Sequence, residues 1–271
     1  MSTNDTLLAW LSAHFQKRWE ANFAWCNAVG GGLLLPALRG FWPTSSLQYT
    51  AADQVVDLSG QRNHLTNNDV AQTNYTDLAP YIELDGQSQY LSRADGGQAN
   101  WADITGLEPY VNAAVRGLAL GGWFYFDEAP GAPEVLMAKW DDGTPLRSYI
   151  LRRTVAGLAE FAVSNNGVAV SSVTSAGTVL QSNTWYFIAG RFHPSTELKL
   201  WVDEATFTAA TAVASIWDSG VAFTVGRYAD AVSGGYLNGR VSLLWLCAAR
   251  LHDAAIDSMF YQSAALFLPA L

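Results

Sequence analysis

The sequence predicts an all-β protein: a two-sheet antiparallel sandwich with an amphipathic helix at its N-terminus and a short helix at its C-terminus. Three observations lead there. From Leu38 onward, short runs of alternating apolar and polar residues are separated by clusters of Gly, Asn, Asp and Pro, the pattern of strands joined by turns. The 11 Trp, 11 Tyr and 12 Phe are residue types that pack well on a pleated face. Half of the 271 residues are hydrophobic and only 14% are charged, enough apolar material for one large core and too little charge for a disordered chain.

Taken in order, residues 5–25 read as an amphipathic helix. Leu7, Leu11, Phe15, Trp19 and Phe23 recur every four residues, Gln16, Lys17 and Glu20 lie off that stripe, and Asp5 stands where a cap belongs. Gly30, Gly31 and Gly32 then break the helix and form a hinge. The chain therefore divides into residues 1–35, a tether or oligomerisation segment, and residues 36–271, the sandwich. The apolar stripe serves either assembly or packing back onto the chain's own sandwich.

Within the sandwich, Leu118–Phe126 and Val241–Ala248 are apolar on both faces and belong in central strands. In Leu198–Val202, Leu198, Leu200 and Val202 face one way while Lys199 and Trp201 face the other. Trp185–Phe192 and Leu158–Val163 behave similarly. Asn165-Asn166-Gly167 marks a hairpin, since Asn and Gly tolerate positive φ. The period changes at Asp253, which is placed to cap a helix reaching about Phe267 with Ile256, Met259, Phe260 and Leu266 on its buried side.

Charge and cysteine content exclude several functions. A net charge of −9 with no basic patch disfavours nucleic acid and anionic membrane surfaces as partners. The N-terminal segment lacks the basic and apolar regions of a secretory signal, and no apolar run is long enough to span a bilayer. Cys26 and Cys247 show no metal or redox spacing, and Cys247 reads as a small buried hydrophobe.

The order of short motifs resembles LamG-like jelly rolls of the concanavalin A-like lectin/glucanase superfamily, over roughly Leu38 to Phe267. It opens with LRGFWP (Leu38–Pro43), VVDLSGQRNHLT (Val55–Thr66) and YIELDGQSQYLSRA (Tyr81–Ala94). LALGGWFYF (Leu118–Phe126) is similar to the strand with a characteristic Trp, here Trp123, and LMAKWDDGTPLRSYILRR (Leu136–Arg153) to a Lys-Trp-Asp…Ser-Tyr hairpin. Asn183–Glu204 and Phe223–Leu251 resemble the later strand-turn-strand and closing hairpin. Two departures stand out. The Asp-Glu pair of the closing hairpin is Ser242-Leu243 here, so a structural calcium is disfavoured and no cofactor is expected. Asp203-Glu204 stands where the family turns on Gly, which alters a loop and leaves the fold unchanged.

Catalytic patterns are missing from the sequence. Glu83-Leu84-Asp85 lacks the third carboxylate of the retaining glucanase strand, and Asp85 belongs to the Asp-Gly turn. His14, His64, His193 and His252 are scattered, and there is no nucleophile elbow or P-loop. Binding is the remaining reading. Three loops combine an aromatic face with polar groups: Trp140 and Asp142 with Arg147, Trp217 with Asp218, and Arg227, Tyr228 and Asp230. These are the candidate glycan contacts. The arrangement of a short anchoring stripe before a displayed sandwich resembles phage-encoded LamG-like virion proteins. The expected function is a non-enzymatic structural or adhesive protein of a phage particle (capsid decoration, tail or fibre), made in the host cytoplasm and partnered by itself, other virion proteins or a glycan. The alternatives are a cellular, extracellular carbohydrate-binding module and, remotely, a glycoside hydrolase.

Overall fold

The computed structural model of the protein describes residues 37–44, 54–68, 73–75, 80–95, 116–230 and 234–268. The expected helix over residues 5–25, its assembly residues Leu7, Leu11, Phe15, Trp19 and Phe23, the glycine hinge and Cys26 lie outside them.

Two antiparallel sheets form a jelly-roll sandwich. The first runs β14 (Ala205–Ala210), β13 (Glu197–Val202), β12 (Trp185–His193), β7 (Leu118–Phe126), β16 (Asn238–Cys247), β5 (Pro80–Asp85) and β4 (Thr73–Tyr75), with β1 (Leu38–Trp42) also paired to β16. The second runs β11 (Val170–Val179), β10 (Leu158–Ser164), β9 (Leu146–Arg153), β8 (Glu134–Asp141), β15 (Phe223–Val225), β6 (Tyr90–Arg93), β3 (Leu65–Asn68) and β2 (Gln54–Val55). β16 has two partners on one edge, β5 along Asn238–Val241 and β1 along Leu244–Cys247. The change falls at Leu243, whose φ of 49° marks a bulge.

Three apolar layers follow from the two-residue period of strands. Between the sheets, Leu118, Leu120, Phe124, Ile188, Leu200 and Leu244 meet Tyr149, Leu151, Phe161 and Val163. At Gly190 the sheets approach so closely that a Cβ would lie 2.5 Å from the Phe161 ring. The intervening residues of the first sheet (Ala119, Trp123, Phe187, Trp201 and Trp245) point outward and are buried by α1 (Asp253–Phe267). On the outer face of the second sheet, Ala138, Trp140, Ile150 and Ala162 form a smaller cluster capped by Tyr228.

The helix has the expected bounds, but His252 is the N-cap residue and makes no side-chain cap bond. Asp253, expected to cap, instead pairs with Arg191 and Lys199 on the sheet below. Farther along, Trp201 Nε1 donates to Asp257 Oδ1 at 3.0 Å, and Phe267 stacks on Trp123 with ring centroids 4.6 Å apart. Burial is what holds this helix, at roughly 1.5–3 kcal/mol for each large apolar side chain covered.

Candidate ligand-binding site

The β8–β9 turn is shaped by Asp141. Its carboxylate accepts the N–H groups of Gly143 and Thr144 at 2.9 and 3.0 Å and the Thr144 hydroxyl at 2.7 Å. Asp142 is thereby left at the exposed tip. Arg147 Nη2 donates to the Asp142 carbonyl at 3.1 Å and to its Oδ1 at 3.3 Å, and the guanidinium lies 5.6 Å from the Trp140 ring centroid. The segment after β15 closes over this hairpin. Asp142 N–H donates to Asp230 Oδ2 at 2.9 Å, and Ala229 N–H to the Trp140 carbonyl at 2.8 Å. Trp140, Asp142, Arg147 and Asp230 therefore form one cluster.

Two of the expected sugar-facing rings are corrected by burial. Trp140 is 3% exposed and Tyr228 2% exposed, because Tyr228 covers the outer face of the second sheet with Trp140 beneath it. The Tyr228 hydroxyl accepts Arg152 Nη1 at 2.8 Å. Burial pushes its pKa up, against the pull of that guanidinium. Arg227 is directed elsewhere: its guanidinium sits 3.6 Å above the Tyr90 ring and donates to the Tyr236 hydroxyl at 3.2 Å.

Trp217 differs from these in being 40% exposed. Its backbone is fixed at both ends, with N–H donating to the Ser164 carbonyl and its own carbonyl accepting Ser148 Oγ, each at 2.7 Å. The indole lies against Gly167, at the tip of the β10–β11 turn, where a Cβ would meet Trp217 Nε1 at 3.1 Å and the Pro145 carbonyl at 2.1 Å. Leu146, Val168 and Val170, which sequence reasoning missed, are 37%, 58% and 47% exposed beside these turns. Apolar residues directly flanking turn residues were the available signal. An anchored indole beside exposed apolar residues, followed in the chain by the exposed Asp218, has the makeup of a surface that holds a ligand by its face.

The carboxylates of the fold motifs are engaged in turns. Asp85 accepts the N–H groups of Gln87, Ser88 and Gln89 at 2.8–2.9 Å and the Ser88 hydroxyl. Burial raises its pKa, but these donors prevail and hold it at about 2, too low for a general acid. Glu83 lies 3.5 Å from Arg240 Nε. At the departure from the family pattern, Ser242 Oγ accepts the Thr44 hydroxyl at 3.3 Å, both side chains fully buried. Among the described residues, no three His, Cys, Asp or Glu side chains are placed to hold a metal.

A family model described as Laminin_G_3, concanavalin A-like lectin/glucanases superfamily, matches residues 95–256, more than half of the chain and all of the Trp217 surface. No curated protein matches the chain in sequence. Among solved structures, the binding domain of Paraclostridial Mosquitocidal Protein 1 superposes with a TM-score of 0.63 at 11% identity, over 84% of this chain and 52% of that one. The receptor-binding domain of botulinum neurotoxin C/D mosaic serotype gives 0.61 at 9% identity, over the same shares. Botulinum neurotoxin type C, which enters cells through interaction with two ganglioside molecules, gives 0.57 at 9% identity, again over 84% and 52%. The chain spans about half the length of these structures, and at such identities they share its fold alone.

Proposed function

The chain belongs to the Laminin_G_3 family of the concanavalin A-like lectin/glucanases superfamily, and from that footing we propose that its sandwich is a non-catalytic glycan-binding domain. The ligand contact is Trp217, followed in the chain by Asp218. One observation carries this reading: an indole held by backbone bonds at both sides yet 40% exposed beside exposed apolar residues. Sugars bind such ring faces through their C–H groups, with polar neighbours fixing orientation. The acidic neighbour suits neutral glycans. A glycan array probed with the full chain tests the proposal: binding by some neutral glycans, lost in Trp217→Ala with the fold intact, is the expected result. Silence across the array, or binding that survives Trp217→Ala, overturns it.

We further propose that the domain is displayed on a phage particle, as a capsid decoration, tail or fibre component, assembled through the stripe Leu7, Leu11, Phe15, Trp19 and Phe23 with itself or another virion protein. The support is that stripe and the three glycines after it, ahead of a lectin-like sandwich. Mass spectrometry of purified particles tests it. Recovery of the chain in stoichiometric amounts is expected, whereas a gene neighbourhood of metabolic functions favours the cellular carbohydrate-binding alternative.

A further inference from the structure

The two sheets end on the same side of the sandwich, β14 closing the first and β11 the second, and β11 lies against β13 and β14. The hydroxyls of Ser171 and Thr211, 2.9 Å apart, join the two edges just past the end of β14. This side is uncharged. No Asp, Glu, Lys or Arg falls within residues 161–190 or 205–217 of a chain that is 14% charged. A well-behaved protein surface carries about 25–35% of these residues. Most of β11 and all of β14 are nonetheless exposed or half-buried.

An open strand edge presents N–H and C=O groups to any other strand, and proteins guard such edges by shortening, charging or bulging them. The far ends of both sheets are guarded by length: β4 has three residues and β2 has two. β11 is guarded by shape. Its register with β10 shifts around Gly177, at φ 84°, and the Thr178 and Val179 carbonyls accept Ser175 Oγ and Gln181 Nε2 at 2.8 and 3.2 Å. β14 has none of these devices. It pairs with β13 residue for residue without a shift, holds no Pro or charge, and among the described residues makes no backbone hydrogen bond on its open side. Phe207 and Ala209 turn inward to the core, while Thr206, Thr208 and Ala210 are exposed.

We propose that β14 is the pairing strand of a homodimer. Two copies meet edge to edge across a twofold axis, each β14 antiparallel to the other, so that the first sheet continues from one copy into the next. Charge argues for a second copy as the occupant. Copies of net charge −9 repel each other least where neither carries charge, and a charged partner would find no opposite charge on this side. Size agrees. A face as long as the ten residues of β11, about 33 Å, and roughly 20 Å across the two sheets buries roughly 1,300 Å² over both copies, within the range of stable interfaces. The contact is separate from the N-terminal stripe and does not rest on the glycan reading.

Light scattering of the full chain over a dilution series tests the pairing. An even-numbered oligomer is expected, whose mass halves in the double variant Thr206→Lys/Thr208→Lys, with the dissociation constant raised about tenfold or more. Thr206→Val/Thr208→Val, which keeps the edge neutral and suited to a strand, should retain the parent mass, as should Trp217→Ala. Thermal unfolding checks that each variant is folded. A monomer at every concentration up to about 100 μM overturns the proposal and leaves the edge to a strand of another protein. An oligomer whose mass is unchanged by the two lysines also overturns it, and places the contact elsewhere on the chain.

Discussion

Trp123 Nε1 donates a 2.7 Å hydrogen bond to Ser263 Oγ, joining the middle of the first sheet to the closing helix between two fully buried side chains. Ser263 in turn donates to the Met259 carbonyl at 2.6 Å, so one hydroxyl satisfies the indole without leaving the helix. Ser263→Ala strands the indole N–H in an apolar layer. The expected cost is about 1–3 kcal/mol. Urea unfolding should show a lower midpoint with an unchanged slope.

Asp203 makes stability depend on pH. It occupies the β13–β14 turn at φ 52° and accepts the Phe187 N–H at 2.8 Å. Burial raises its pKa from 3.8 to about 6, with that N–H opposing and Glu204 adding to the rise. The folded state thus binds its proton more tightly than the unfolded state does. The resulting stability is fully present below about pH 3.8 and is lost as pH rises through about 6. Asp203→Asn keeps the acceptor, suits the left-handed backbone and cannot ionise. Thermal unfolding should show the variant more stable than the parent at neutral pH, with the difference shrinking as pH falls through this window.

Trp217 and Tyr228 should separate binding from stability. Trp217→Ala removes an exposed ring and should abolish glycan binding while shifting the unfolding midpoint little. Tyr228→Ala opens the layer over Trp140 and takes the hydroxyl away from Arg152, at about 3 kcal/mol or more. Parallel binding and melting curves decide the matter. Lost binding in Tyr228→Ala at full stability would place the ligand on the outer face of the second sheet.

The strand faces were legible because alternation is local. Leu198, Leu200 and Val202 enter the inter-sheet core while Trp201 lies under the helix, as their spacing requires. The extent of the C-terminal helix was legible too, from its change of period. Its cap was not, because Asp253 is drawn to Arg191 and Lys199, charges supplied by distant strands. The site was legible only in part for the same reason. Trp140, Tyr228 and Trp217 all sit in sequence contexts that look like exposed turns, and only the path of the segment after β15 decides which rings it covers. Glu134 and Arg153 stand at the start of β8 and the end of β9, among other charged residues of the same strands, so nothing local singled them out. Their pairing depends on the β8–β9 register, which sets them opposite each other.

Asp57 shows what the most family-like motif does in this chain. Its Oδ1 accepts the N–H groups of Phe41 and Ser59 at 2.9 and 2.8 Å, and its Oδ2 accepts the Asn63 N–H at 2.9 Å and the Ser59 hydroxyl at 2.7 Å. His64 Nδ1 accepts the Asp57 N–H at 3.0 Å, and Asn63 Nδ2 donates to the Arg39 carbonyl at 2.7 Å, so the motif ties β1 to the turn before β3. Both carboxylate oxygens already carry two donors, which leaves them poorly disposed to a cation that needs six to eight oxygens. Asp57→Ala should therefore destabilise the fold by about 2–5 kcal/mol, since the buried N–H groups of Phe41 and Asn63 lose their acceptor. Asp57→Asn should cost less, because one acceptor oxygen remains. Neither calcium nor a chelator should move the melting temperature of the parent chain. A calcium-dependent rise in melting temperature, lost in Asp57→Asn, would show instead that this carboxylate serves a metal.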